Sequence, residues 1–286
     1  MKKITSVAII IMLLYVHHAN AQTKSCCNLG ATNEFAMLGK SSDFQQAHSA
    51  PEALNFTPTT GSDVTFAVAD GKNGSAYFVK TEIKSKKFLF VFHEWWGLNS
   101  HIKKETERLA AELSRLEINV IAIDLYDGKI ATNADEAGKF MQEVNQERAI
   151  AIINGAIQYA GNDAEIQTIG WCFGGGWSLQ ATILAGKQSR GCVMYYGMPE
   201  KDIERMKKIE SPILGIFASK DGWINKPLID EFEKQMKSAN KMLDVKWYDA
   251  DHAFANPSNP SKYDKTAADA ANKVALDFIS TNFRIK

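Results

Sequence analysis

From residue 63 onward the chain alternates short runs that are apolar throughout with segments of helical periodicity. This alternation restricts the folds open to it more than any other feature. The runs TFAVA, AYFVK and FLFVFHE follow one another at short intervals, each rich in β-branched or aromatic residues, which is the composition of strands. Beyond them come the strand-like runs NVIAID, IQTIGW, CVMYYG, PILGIFA and LDVKWYD. Helical patterns separate them over about residues 100–113, across ADEAGKFMQEVNQERAIAIINGAIQYA, over about 175–185, and near LIDEFEKQM and AADAANKVALDFIS. Strands without a polar face, spaced by helices, form a parallel sheet covered on both sides. The opening strands have no helix between them, so they are expected to pair antiparallel at one edge. The expected fold is α/β: a mostly parallel, doubly wound sheet with antiparallel N-terminal edge strands.

Ahead of this domain, assigned to residues 63–286, lie two segments of different character. Residues 1–21 carry Lys2 and Lys3, the apolar stretch VAIIIMLLYV and the small-residue pattern Ala19-Asn20-Ala21. That is the layout of a cleavable signal peptide, with an apolar run of about ten residues, too short for the roughly 20 that a membrane span needs. Cleavage is expected after Ala21, which makes the mature protein periplasmic or secreted with no stable membrane insertion. Residues 22–62 hold turn formers, one amphipathic piece around NEFAMLGKSSDFQQAH and no convincing strand. They read as an N-terminal extension draped on the domain.

The full chain has 33 basic and 33 acidic side chains. Losing Lys2 and Lys3, with no acid in the removed segment, leaves 31 against 33, a formal charge of −2. Nucleic acid is not an expected partner, because a phosphate-tracking surface needs a clear basic excess.

Chemistry concentrates at TIGWCFGGGWS, residues 168–178. Cys172 stands between a strand and a helix, with Gly170 two before it and Gly174 two after. In such a sheet this position opens on the mouth where ligands bind. The pattern is the G-x-nucleophile-x-G elbow, whose sharp turn projects the central side chain. It also sets the sulfur at a helix N-terminus, which favours thiolate. A dinucleotide fingerprint would require glycine at position 172; an inert buried cysteine is the other reading of the elbow taken alone.

Asp221, in SKDGWIN after PILGIFA, and His252, in DADHAFANP after LDVKWYD, fall in loops at the same end of the sheet. Singly, Asp221 reads as a turn residue and His252 as a structural histidine. Together with Cys172 they stand in the chain order nucleophile, acid, base.

The stretches FHEWWGLN at 92–99, IDLYDG at 123–128, GWCFGGG at 170–176, YYG at 195–197, SKDGWIN at 219–225 and HAFANP at 252–257 resemble the dienelactone hydrolase family of α/β-hydrolases. The resemblance runs from about residue 63 to the end. It implies an α/β-hydrolase fold and an exported hydrolase of esters or lactones working through an acyl-enzyme. In it Cys172 attacks, His252 shuttles the proton and Asp221 orients the imidazole. The backbone N–H groups of Phe173 and Trp95 would form the oxyanion hole, and Glu94 would hold the resting thiol. The family's lactone hydrolases place an arginine four residues after the histidine to bind the substrate carboxylate. Here Asn256 stands there and offers no charge-assisted bidentate contact.

Trp95, Trp96, Tyr126 and Trp223 fall in loops at the active end, which suggests an aromatic-walled pocket for an apolar or ring-shaped acyl compound. Two other readings stay open: a thioesterase or peptidase using the same three residues, and a non-catalytic thiol-sensing or binding member of the fold. No cofactor is implied, and no metal, since the histidines and cysteines fall in no ligand spacing. Cys172 and Cys192 are expected at opposite ends of neighbouring strands, roughly 15 Å apart at about 3.3 Å per residue, beyond the roughly 7 Å between α-carbons that a disulfide spans. Cys26 and Cys27 have no pairing that the sequence selects, and the sequence leaves the oligomeric state undetermined.

Overall fold

The computed structural model describes residues 30–284. The expected signal segment and cleavage point, with Cys26 and Cys27, lie outside the described residues. Helices α1 (Gly30–Leu38) and α2 (Ser42–Gln46) come first, then strands β1 (Ser62–Phe66), β2 (Gly74–Val79) and β3 (Lys87–Phe92). Next are α3 (Ser100–Glu112), β4 (Asn119–Ile123), α4 (Ala134–Gln142), α5 (Gln146–Ala160), β5 (Glu165–Trp171) and α6 (Phe173–Ala185). After these come β6 (Ser189–Tyr195), the short α7 (Ile203–Met206), β7 (Ile213–Ala218), α8 (Lys226–Ser238), β8 (Leu243–Tyr248) and α9 (Lys265–Arg284).

The strands form one 8-stranded sheet in the order β1-β2-β4-β3-β5-β6-β7-β8. β2 runs antiparallel to both β1 and β4, and the remaining pairs are parallel. This is the expected α/β architecture, antiparallel edge included. The strands β4 and β7 are buried along their whole length, as their unbroken apolar sequences require. β8, at the edge, is half-exposed through most of its length.

The strand order also locates the functional end. The connection from β3 leads to β4 on one side, whereas β4 returns past β3 to β5 on the other. Right-handed crossovers therefore put α3 on one face and α5 and α6 on the opposite one. Arg108 of α3 donates to Asn272 of α9 at 2.8 Å, which joins those two helices on the first face. Loops leaving the C-terminal ends of β3 and β5 diverge to opposite faces and open a crevice between them. Glu94 and Trp95 follow β3, and Cys172 follows β5.

Three local readings are adjusted. The helical stretch expected across 134–160 is two helices, because Asn145 accepts from the Arg148 N–H and caps a new start. The first strand ends at Phe66 instead of continuing through TFAVA. Beyond Phe66 the chain crosses α5 so closely that a side chain on Gly155 would meet the Ala67 carbonyl at 2.7 Å. Cys192 lies mid-strand, beside Thr168 in the β5–β6 register. That leaves four residues, about 13 Å at 3.3 Å each, between its level and Cys172, and both thiols are free.

The segment before the sheet is anchored at both ends. The Glu107 carboxylate of α3 accepts from the N–H groups of Thr59, Thr60 and Gly61, each at 2.9 Å, and from the Tyr77 hydroxyl at 2.7 Å. At the other end Phe35 of α1 and Phe44 of α2 are fully buried, and α1 packs on α4 and α6. The helical pair thus sits over the crevice.

Candidate active site

Cys172 adopts φ 58°, ψ −121°, a region that costs a residue with a side chain of order 1–3 kcal/mol and persists only where its surroundings impose it. The surroundings are backbone. The Cys172 N–H donates to the Tyr195 carbonyl and the Gly175 N–H to the Cys172 carbonyl, both at 3.0 Å. A Cβ on Gly170 would lie 2.1 Å from the Gly174 carbonyl oxygen, and one on Gly174 would lie 2.3 Å from that of Phe92. Strands β3 and β5 and helix α6 therefore touch main chain to main chain, and only glycine fits at either position.

The turn places the sulfur at the N-terminus of α6, with the backbone N–H groups of Phe173 and Trp95 directed at it. Those donors favour the anion, but full burial pushes the thiol well above its ordinary range, and the nearby carboxyls of Glu94 and Asp221 add to the shift. The resting group is a thiol. The helix terminus alone suggests thiolate, and desolvation outweighs it.

Asp221 and His252 meet beside it. The His252 Nδ1–H donates to Asp221 Oδ2 at 2.5 Å, and Asp221 Oδ1 accepts from the Trp223 and Ile224 N–H groups at 2.8 and 2.9 Å. Burial works to raise the Asp221 pKa, but the imidazole and these donors together hold it below the ordinary carboxylate value. His252 Nε2 is buried with no hydrogen-bond partner. It faces the Cys172 sulfur, since the ring nitrogen and sulfur lie within 4.8 Å.

Glu94 is buried on the other side, and desolvation raises its pKa to about 8, only partly offset by the amide of Asn256, which donates to Oε2 at 2.5 Å. At neutral pH the protonated acid is the major form. Asn256 is committed to this contact, and its own oxygen accepts from the N–H and hydroxyl of Ser258. The loop that carries Glu94 is set by His93, whose Nε2 accepts from the Leu125 N–H while Nδ1–H donates to the Glu94 carbonyl at 2.6 Å.

The aromatic residues divide. Trp96 lines a cavity of about 400 Å³ with Ile102, Trp171 and Pro257; Glu94 and Asn256 stand in its polar lining, which also carries Lys104 and Arg108. Tyr126 instead packs beneath the elbow against His93 and Phe173, at ring separations of 4.7 and 5.4 Å. Trp95 and Trp223 close edge-to-face on Phe44, at 5.2 and 5.0 Å.

His48, which the sequence reading did not select, stacks on Phe44 at 4.2 Å and lies 5.2 Å from the His252 ring. Its spacing of four from Phe44 on an amphipathic segment was the one available signal that it faces inward with that ring. Tyr196, 4.9 Å from the His252 ring, was likewise quoted only within a motif.

A cysteine on a strained strand-to-helix turn, with an imidazole–carboxylate pair and two backbone donors about it, defines an α/β-hydrolase with a sulfur at the elbow. The chain belongs to the dienelactone hydrolase family, whose model matches residues 75–283, and it is a hydrolase of ester or lactone bonds. It is 30% identical to protein usf of Aquifex pyrophilus over 205 residues, covering 66% of this chain and 86% of that one. It is 23% identical to carboxymethylenebutenolidase 1 of Cupriavidus pinatubonensis over 224 residues, covering 73% and 92%. Among solved structures, the dienelactone hydrolase-like promiscuous phosphotriesterase P91 from metagenomic libraries superposes with a TM-score of 0.66 at 20% identity, over 78% of this chain and 99% of that one. That likeness concerns the fold.

The Asn256 amide stabilises the charged form of Glu94, so Asn256→Leu should move the Glu94 titration midpoint above about 8. Carboxyl-carbon NMR titration of the protein labelled at glutamate measures it, and a midpoint that stays put or falls would contradict the assigned contact.

Proposed function

We propose that the protein cleaves an uncharged ester or lactone through a covalent acyl-cysteine on Cys172. One observation carries this reading: the sulfur, the open Nε2 of an imidazole held from behind by Asp221, and two backbone N–H groups converge on one point at the rim of the sheet. His252 Nε2 takes the thiol proton as the sulfur attacks the carbonyl carbon. The Trp95 and Phe173 N–H groups receive the resulting oxyanion. The imidazolium, stabilised by Asp221, then passes the proton to the leaving alkoxide, and the acyl group remains on sulfur. Water, deprotonated by the same nitrogen, attacks the thioester and releases the acid and the thiol. Glu94, a neutral acid next to a neutral thiol, suits a resting state that substrate must rearrange.

The cavity supports an uncharged substrate. Its walls are largely apolar, Asn256 is engaged by Glu94, and the Arg108 guanidinium at its margin is neutralised by Glu105 and Glu112, each at 2.6 Å. A substrate carboxylate would meet no free guanidinium there, and the other cation of the lining, the Lys104 ammonium, offers no bidentate fork.

The leader-like residues 1–21 support export, with maturation between Ala21 and Gln22. Among the described residues no helix is long and apolar enough to cross a membrane. Protein recovered from outside the cytoplasm should begin at Gln22 by intact mass; an uncleaved N-terminus on such protein would contradict the assignment.

With a p-nitrophenyl ester, Cys172→Ala should lose turnover by about 10³-fold or more, and Asp221→Asn by a comparable factor through the wrong imidazole tautomer. Iodoacetamide should silence the wild type. Full activity in Cys172→Ala would refute the sulfur mechanism.

A further inference from the structure

Three side chains with no ligand-like spacing in the sequence meet over the nucleophile. The ligating atoms of His48, Cys172 and His252 all lie within 4.8 Å of one another, and all three residues are buried. His48 Nδ1 lies 2.6 Å from the Phe44 carbonyl oxygen. A carbonyl can only accept, so Nδ1 carries the proton and Nε2 a lone pair. The same reasoning applies to His252, whose Nδ1–H is held by the Asp221 carboxylate. Both Nε2 atoms are buried without a hydrogen-bond partner, an arrangement that costs about 1–3 kcal/mol for each atom left unpaired.

Two imidazoles beside one sulfur, each with Nδ1–H held from behind by an oxygen acceptor and Nε2 left open, match the inner and outer ligands of a metal centre with three protein donors. We propose that His48, Cys172 and His252 form a binding site for a borderline-soft divalent cation, Zn²⁺ above all. The N₂S donor set excludes Mg²⁺ and Ca²⁺, which take oxygen ligands. Zinc bonds of 2.0–2.1 Å to nitrogen and 2.3 Å to sulfur set tetrahedral edges of roughly 3.3–3.6 Å. From separations of at most 4.8 Å, closure draws any two donors together by roughly 1.5 Å or less. On binding, a sulfur–zinc bond replaces the S–H bond and the proton leaves to solvent; nothing is oxidised or reduced.

The site has a consequence for the rest of the molecule. His48 belongs to the N-terminal extension, two residues past α2, whereas Cys172 and His252 belong to the hydrolase domain. The bound ion clasps one to the other while occupying the sulfur and the Nε2 that acyl transfer needs. Zinc is thereby an inhibitor that locks the extension shut. The inhibition rests on the hydrolytic reading above; the binding does not.

The test uses the mature chain carrying Cys26→Ser and Cys27→Ser, which removes the other thiols outside the hydrolase domain. Zn²⁺ is titrated against a chromogenic chelator, and Co²⁺ is used to report sulfur ligation by its thiolate-to-metal absorption. About one equivalent should bind, unaffected by excess Mg²⁺ or Ca²⁺. His48→Phe, which keeps an aromatic ring between Phe44 and Trp95, should weaken binding at least ten-fold. Cys172→Ser should abolish the thiolate band. Binding that is undiminished in His48→Phe, a thiolate band that survives Cys172→Ser, or no binding at micromolar Zn²⁺ overturns the site. Zinc binding by a protein whose metal-free form turns over no ester would uphold the site and instead contradict the acyl-cysteine reaction.

Discussion

Everything at the active end depends on the main-chain contact beneath Cys172. Because β3, β5 and α6 approach at backbone distance, with Gly170 and Gly174 leaving no room for side chains, the turn at Cys172 is forced to positive φ. That conformation aims the sulfur out of the sheet toward His252. The same approach brings the N–H of Trp95, on the loop after β3, next to that of Phe173, on the first turn of α6. The sulfur and the two backbone donors are thus products of one packing constraint, and the strain at Cys172 is carried by the buried centre of the sheet.

The electrostatics of the cluster describe a site at rest. Burial keeps Cys172 protonated and Glu94 largely neutral, while Asp221 is held as an anion by the imidazole and two backbone donors. Charge therefore sits on Asp221, against the imidazole, and not on the Cys172 sulfur. The N-terminal segment contributes to this state: Phe44 and His48 cover Trp95, Trp223 and His252. The cavity beside Trp96 reaches this cluster from the side, through Glu94 and Asn256, so a ligand that displaces Glu94 alters the environment of Cys172 directly.

Much of this was legible in the sequence. Continuous apolar strands separated by helices revealed the sheet, and the loop positions of Cys172, Asp221 and His252 followed from the strands that precede them. Phe173 and Trp95 followed from the resemblance to the dienelactone hydrolases. What escaped the sequence depends on packing between distant segments. The tie from Asn256 to Glu94 spans 162 positions and obeys no local pattern. His48 belongs to an extension whose docking is decided by where Phe35 and Phe44 find buried space, which periodicity cannot locate. Trp95, Trp223 and Tyr126 lie at the active end as their loops required, but α2 and the packing under the elbow consume the faces of their rings.

Mass spectrometry of enzyme quenched with a slow lactone or activated ester tests the convergence of sulfur, imidazole and carboxylate most directly. An acyl mass on the peptide containing Cys172, absent after alkylation and removed by hydroxylamine, is the outcome this geometry requires. Turnover that proceeds with Cys172 free of acyl group, or an adduct confined to another residue, would contradict it.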